Sequence, residues 1–266
     1  MSTRPRTTSL RSVALPIEHG GWGLTLEPAV LGVLLAPSLA GVLLGTAALL
    51  AFLSRTPLRF LLRRSRAPKT AAGERVRLAR RVAVLELVAM GVALLGAFTL
   101  AQDASWMWPL VIAGPMFAMA LWFDLRSASR QLMPEIVGSL AVAAVAPMAT
   151  LAGGGAVTLA VGAWLILGAR VVSSIPHVRA QVQRVHGRQA PPGPALTGDL
   201  AAVAMAAAAV LLAPAVVLGG LAVIGLVVIQ RMTLARPPRP AKIVGVRQMA
   251  LGFMVVAATA IGAWLL

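Results

Sequence analysis

Apolar stretches recur from one end of this sequence to the other, and most are close to the roughly 20 residues that an α-helix needs to cross the hydrocarbon core of a membrane. They are rich in Leu and Ala, and apolar and polar residues do not alternate within them, which favours helices over membrane strands. Apolar residues make up 59% of the chain, whereas about half is usual in soluble proteins. The chain is therefore predicted to be an all-α, polytopic transmembrane helix bundle that forms one domain over residues 1–266.

Nine of these stretches are predicted to span the membrane. Their bounds are 24–38, 40–54, 80–101, 108–123, 133–151, 156–175, 200–212, 214–230 and 247–266. The first contains Glu27 and lacks a small-residue cleavage site before a polar mature region, so it is interpreted as a retained span and not a signal peptide. Pro37 and Pro214 mark turns that separate the two pairs of short spans.

The distribution of basic residues supports this count and orients the chain. When the N-terminus is placed in the cytoplasm, all 24 Lys and Arg residues fall on the cytoplasmic side, as the positive-inside rule expects. They lie in the N-terminal segment 1–17 and in or after the second, fourth, sixth and eighth spans. The C-terminus is then outside. Few lysines and many Ala and Arg residues indicate a GC-rich bacterial genome, so the predicted location is a bacterial inner membrane.

The net charge of +16 is explained by the same distribution. On a soluble chain this charge would indicate nucleic acid, but here the arginines follow the topology, so no nucleic-acid partner is predicted. The expected partners are the lipid bilayer and anionic lipid headgroups. The chain has no cysteine, which excludes disulfides and thiolate metal sites.

The stretch "PIEHGGWGLTLEP" at residues 16–28 places polar residues where a membrane helix should begin. Ionisable groups inside a membrane are costly, so they usually pair or face a cavity. We expect a cytoplasm-facing cavity that binds an amphiphile with an anionic head, because Arg side chains suit phosphate or carboxylate. The candidate ligand-binding residues are His19, Glu27, Arg55, Arg59, Glu86, Arg170, Ser173 and Arg179.

Structural roles explain the same residues without a ligand. Glu18 would cap a helix and Trp22 would anchor it at the membrane surface, and the arginines would form ion pairs or extend to the headgroups. Glu27 is predicted to lie close to a basic residue, with Arg55, Arg59 and Arg170 as the alternatives. The sequence identifies no catalytic residue, so whether the chain is an enzyme stays open.

Two parts of the chain resemble each other. "SRTPLRFLLRR" from Ser54 and "SSIPHVRAQVQR" from Ser173 share a serine, a proline three residues later and basic residues at helical spacing. "PAVLG" from Pro28 and "PEIVG" from Pro134 open the first and fifth spans. The pattern predicts that spans one to four and five to eight are two repeats, with the ninth span left over. Coincidence between short apolar words is the alternative.

The segment "EHGGWGLTLEPAVLG" (Glu18–Gly32) resembles the opening signature of the YwiC-like family of bacterial membrane proteins. "HVRAQVQRVHGR" (His177–Arg188) and "AKIVGVRQMALG" (Ala241–Gly252) resemble that family's basic stretch after the sixth span and the beginning of its last span. The resemblance extends along the whole chain. It implies an integral membrane protein and no particular reaction.

The layout of nine helices is also distantly similar to the UbiA-type intramembrane prenyltransferases. Those enzymes hold a prenyl diphosphate through magnesium bound at aspartate-rich loops after spans two and six. Here these loops, placed at 55–79 and 176–199, have no aspartate before Asp199, so two magnesium ions would lack ligands. The sequence therefore predicts no metal and no cofactor, with an isoprenoid or quinone-related lipid as the suggested ligand. A transporter or flippase-like carrier and a non-catalytic partner of a respiratory or envelope complex remain as alternatives.

Overall fold

The computed structural model describes residues 19–64, 73–126 and 131–266. We number its α-helices in chain order. They are α1 His19–Leu35, α2 Leu39–Arg64, α3 Gly73–Leu100, α4 Pro109–Leu125, α5 Leu132–Ala143, α6 Val145–Ala152, α7 Val157–Val185, α8 Gly193–Leu212, α9 Val217–Leu234 and α10 Ala241–Leu265. Short 3₁₀ turns at Ala104–Met107 and Pro214–Val216 precede α4 and α9.

The all-α prediction is confirmed, since the described residues form helices and turns with no strand among them. Eight helical segments in the described ranges are long and apolar enough to cross a membrane, and α1 is a shorter apolar helix. α5 and α6 together make one of the eight. These segments correspond one to one with the nine predicted spans. The basic segment 1–17 lies outside the described residues, so the single-domain organisation stays a prediction.

Contacts between helix ends place basic residues of the described helices at one end of the bundle. Arg55 near the end of α2 bonds Asp124 near the end of α4, and Arg184 near the end of α7 donates to the Leu234 carbonyl at the end of α9. At the opposite end, the Trp264 indole donates to the Leu34 carbonyl. We call the first end the basic end. Which side of the membrane it faces stays a prediction.

Two helices extend further than the sequence suggested. α2 runs through Pro57 to Arg64, and α7 runs through Pro176 to Val185. The predicted long loop at 176–199 is therefore wrong: only seven residues, 186–192, connect α7 to α8. A proline removes one helical hydrogen bond, which in α7 frees the Val172 carbonyl. Gly198 of α8 packs against that carbonyl so closely that a Cβ on it would lie 2.4 Å from the oxygen.

The fifth span is divided into α5 and α6 near Ala144. Pro147 has no N–H to donate to the Ala143 carbonyl, so the helical hydrogen-bond ladder is interrupted there. Every residue of α6 after Val145 is buried, and this short helix packs against α1, α2 and α7. α6 is thus the centre of the bundle in the half away from the basic end.

α3 and α4 form the periphery of the bundle. α3 packs mainly against α2, and α4 packs mainly against α5. Both helices expose large apolar side chains along most of their length, which fits contact with lipid. These side chains include Val84, Leu85, Val88, Val92, Leu95 and Phe98 on α3 and Val111, Ile112, Phe117 and Trp122 on α4.

The two similar segments occupy comparable places in their helices. Pro57 lies 18 residues after the start of α2 at Leu39, and Pro176 lies 19 residues after the start of α7 at Val157. α2 packs closely on the helix that follows it, α3, and α7 does the same with α8. Superposition of the two halves and a UbiA-like arrangement both stay predictions.

Candidate functional site: a buried polar cluster between five helices

An ion pair between α1 and α7 lies deep inside the bundle. The Arg170 Nη2 atom is 2.8 Å from Glu27 Oε1, and the two side chains are 5% and 0% exposed. Glu27 is eight residues before the end of α1, which places it about 12 Å from the end of that helix at Leu35, at ~1.5 Å per residue. The pair therefore lies about midway along α1. Of the three predicted partners for Glu27, the structure selects Arg170.

Glycines bring α1 and α10 close together around this pair. A Cβ built on Gly252 would lie 2.0 Å from Glu27 Oε1, and one built on Gly23 would lie 3.0 Å from the same atom. Arg170 Nη2 also donates to the Gln248 carbonyl of α10 at 3.2 Å. The carboxylate is consequently enclosed by the backbone of α10, where a larger side chain than glycine has no room.

A chain of hydrogen bonds continues from this pair toward the basic end. The Gln230 amide of α9 donates to Gln248 Oε1 at 3.2 Å and to the Ser174 hydroxyl at 2.9 Å. The Ser173 hydroxyl lies 2.6 Å from Asp199 Oδ1 and 2.8 Å from Gln230 Oε1. Asp199 in turn pairs with Arg231, which ends this chain of contacts and has a side chain that is 37% exposed. Buried polar groups thus link the ion pair to the surface of the basic end.

His177 and Arg247 lie beside this chain. His177 is 1% exposed, and its Nε2 atom is 3.5 Å from Arg247 Nη2. Because a guanidinium only donates hydrogen bonds, Nε2 is the acceptor and the ring proton sits on Nδ1. The neutral imidazole therefore presents an N–H group into the interior. Gln181, one turn further along α7, donates to the Thr233 carbonyl at 3.0 Å.

We call these side chains together the polar cluster. Its members are Glu27, Arg170, Ser173, Ser174, His177, Gln181, Asp199, Gln230, Arg231, Arg247 and Gln248. Seven buried atoms of the cluster have no hydrogen-bond partner among the described residues, although buried polar groups in proteins are nearly always paired. Two are acceptors, Glu27 Oε2 and Gln181 Oε1. The other five are donors: Arg170 Nε, His177 Nδ1, Arg231 Nη2, Arg247 Nε and Gln248 Nε2.

The structure unites three of the eight predicted site residues in this cluster: Glu27, Arg170 and Ser173. Arg55 and Arg59 instead pair with Asp124 near the end of α4, at 3.3 Å and 2.8 Å between Nε and Oδ2. These two arginines therefore join α2 to α4 and do not meet Glu27.

The remaining three predicted residues lie elsewhere. Arg179 pairs with Glu135 of α5 at 2.9 Å, where both side chains are about one-third exposed. Glu86 lies on α3, and its Oε2 atom is buried without a partner. The side chain of His19 lies outside the described part of the structure.

Sequence reasoning missed several members of the cluster. Gln230 and Gln248 each interrupt an apolar helix, in "LVVIQRM" and "VRQMALG". A carboxamide in such a position needs a polar partner inside the bundle, and this was the signal that could have identified both. In the sequence, Asp199 is distinguished only as the first aspartate after the sixth span. Arg231 and Arg247 indicate the membrane topology and nothing more.

Two surface depressions lie beside residues outside the polar cluster. A depression of about 440 Å³ lies beside Arg77, Arg80 and Arg81 on α3, and one of about 150 Å³ lies beside Pro176 and Arg179. Neither is lined by a residue of the polar cluster. Within the three described ranges, no group of three or more His, Cys, Asp or Glu side chains is placed to hold a metal ion. The absence of a metal stays a prediction.

The fold and the internal polar cluster together define a multi-pass α-helical membrane protein. The sequence profile of the family described as "YwiC-like protein" matches residues 15–150, slightly more than half of the chain. The chain belongs to the YwiC-like family. No curated protein and no solved structure matched it. Within the cluster, Glu27 lies inside the matched region, and every other member follows it.

Proposed function

We propose that this membrane protein binds the anionic head of an amphiphile at the polar cluster, with the apolar part of that molecule held among the helices. The unpaired atoms of the cluster carry this proposal. Five buried donors against two acceptors suit a ligand head rich in acceptor oxygens, such as a phosphate or a carboxylate. A purely structural network would be expected to satisfy its own members, because each unpaired buried group is costly.

The charge of the cluster points to the same kind of ligand. The cluster contains three positively charged arginines and two carboxylates, Glu27 and Asp199, and its histidine, His177, is neutral. An uncompensated positive charge within a membrane is unfavourable unless a counter-charge or water reaches it. An anionic head supplies that counter-charge.

Transport of the same ligand is the second candidate. The hydrogen-bonded chain favours this candidate because it runs from Arg231 at the basic end to Glu27. Glu27 lies about 12 Å from the end of α1 at Leu35. A carrier would expose this chain to each side of the membrane in turn. A lipid-binding protein or an enzyme would open it to one side only.

The test is to identify what co-purifies with the protein. Wild-type protein and the variants Gln248→Leu and Gln189→Leu are purified in the same detergent, and bound amphiphiles are identified by native mass spectrometry and lipid analysis. We expect a stoichiometric anionic amphiphile on the wild type and on Gln189→Leu, whose side chain is exposed, and its loss from Gln248→Leu. Only neutral lipids in bulk proportions on all three proteins would contradict the proposal.

A further inference from the structure

Arg247 differs from the other two arginines of the polar cluster in its partners. Arg170 is matched by Glu27 and Arg231 by Asp199, each through a direct ion pair. Among the described residues, no carboxylate lies within ion-pair distance of Arg247, and its contact in the cluster is the neutral His177. The single excess positive charge of the cluster is therefore located at Arg247.

The neighbours of Arg247 present hydrogen-bond donors. Its own Nε atom is buried without a partner, as is His177 Nδ1, which carries the ring proton. Gln248, the next residue of α10, adds the unpaired Nε2 amide. One positive charge and two neutral donors thus belong to neighbouring residues of α7 and α10. Each of the two carboxylates already accepts hydrogen bonds from its own arginine.

From this arrangement we infer that the ligand head is a singly charged oxyanion, of the phosphodiester type, and that Arg247 is its counter-charge. This inference rests on the proposed function and specifies the class of its ligand. A single negative charge neutralises the cluster, whereas a head with two or three charges would leave buried negative charge uncompensated. An acceptor oxygen on the head would be satisfied by the unpaired Nε of Arg247.

The inference is tested with amphiphiles that share the same acyl chains and differ only in the head. The probes are a phosphatidate methyl ester with one charge, phosphatidate, a diphosphate and an uncharged diacylglycerol, each measured by native mass spectrometry against wild-type protein. We expect the methyl ester to bind about tenfold or more tightly than the diacylglycerol, as a charge-assisted hydrogen bond would give. Phosphatidate and the diphosphate should bind no more tightly than the methyl ester.

Three variants distinguish the role of Arg247 in binding from general effects of removing a positive charge. Arg247→Gln should lose the advantage of the methyl ester over the diacylglycerol, and Arg247→Lys should keep part of it. Arg188→Gln, at an exposed site at the same end, should keep it fully. The melting temperature of each variant is measured first. If Arg247→Gln does not fold, His177→Phe, which removes the neighbouring donor, should reduce the same ratio.

The possible results distinguish the inference from the proposal on which it rests. Tighter binding of phosphatidate or the diphosphate would overturn the single-charge inference and leave anionic-head binding intact. An unchanged ratio in Arg247→Gln would overturn the role of Arg247. Failure of every anionic amphiphile to bind wild-type protein in preference to the diacylglycerol would overturn both the inference and the proposed function.

Discussion

Arg170 and Glu27 are 143 positions apart in the sequence, and their side chains meet at 2.8 Å in the interior of the bundle. This pair joins the first helix to the long central helix α7. Among the described residues, neither side chain has a second ion-pair partner. The further bond of Arg170 is to the Gln248 carbonyl. The two residues are consequently dependent on each other for compensation of their buried charges.

Removing one member of this pair should cost more than removing both. We expect Arg170→Met to lower the free energy of unfolding by about 3–5 kcal/mol, because Glu27 is left buried without a counter-charge. Adding Glu27→Leu to that variant should recover a large part of the loss. Unfolding in mixed micelles is the measurement, with the exposed Arg188→Met as control. A double variant less stable than Arg170→Met would show that the pair is not the source of the loss.

The close approach of Gly252 to Glu27 gives a second prediction. Gly252→Ala should destabilise the protein by about 1–3 kcal/mol, since the new methyl group would collide with the carboxylate. Gly225 is the matched control: it also lies within a helix, and a Cβ there would meet nothing within 4 Å. Gly225→Ala should therefore be neutral or slightly stabilising. Equal melting temperatures for the two variants would rule out the tight contact.

Asp124 should hold the basic end of α4 against α2. Asp124→Asn is expected to lower stability by only about 1 kcal/mol, because its arginine partners are partly exposed to solvent. A cysteine pair at positions 55 and 124 should be joined by a short bifunctional thiol reagent in an otherwise cysteine-free chain, since the Arg55 and Asp124 side chains meet across α2 and α4. Failure of that pair to cross-link, while a pair at positions 179 and 135 does so, would contradict the placement of α4.

The orientation of the bundle is tested by single cysteines at two exposed positions. Ala104 lies at the end of the bundle away from the basic residues, and Gln189 lies in the connection between α7 and α8. An impermeant thiol reagent added to intact cells should label Ala104→Cys and leave Gln189→Cys unlabelled, as the positive-inside rule requires. Labelling of Gln189→Cys alone would reverse the assignment, with the basic end outside.

The sequence was sufficient to predict the helices because the properties that define a membrane span are local to each stretch of the chain. Apolar length and the position of each arginine indicate spans and their direction without knowledge of packing. The position of Glu27 inside an apolar stretch predicted in the same way that it needs a basic partner. The sequence could not select that partner among Arg55, Arg59 and Arg170, because the choice depends on which helices are neighbours.

The rest of the site depends on tertiary packing. Asp124 attracts Arg55 and Arg59 only because α4 lies beside α2, which no local pattern shows. α7 continues through Pro176 because α8 packs on the carbonyl that the proline frees. That continuation places His177 and Gln181 inside the bundle, where the sequence had suggested a loop.

The central claim is that the polar cluster receives the head of an anionic amphiphile. The most direct measurement uses a phosphodiester amphiphile with a photoactivatable diazirine next to its head, followed by peptide mapping of the cross-links by mass spectrometry. We predict cross-links in α7 between Arg170 and Gln181 and in α10 between Arg247 and Gly252, and their loss when unlabelled amphiphile is added in excess. Cross-links confined to the lipid-exposed faces of α3 and α4, unaffected by that competitor, would contradict the claim.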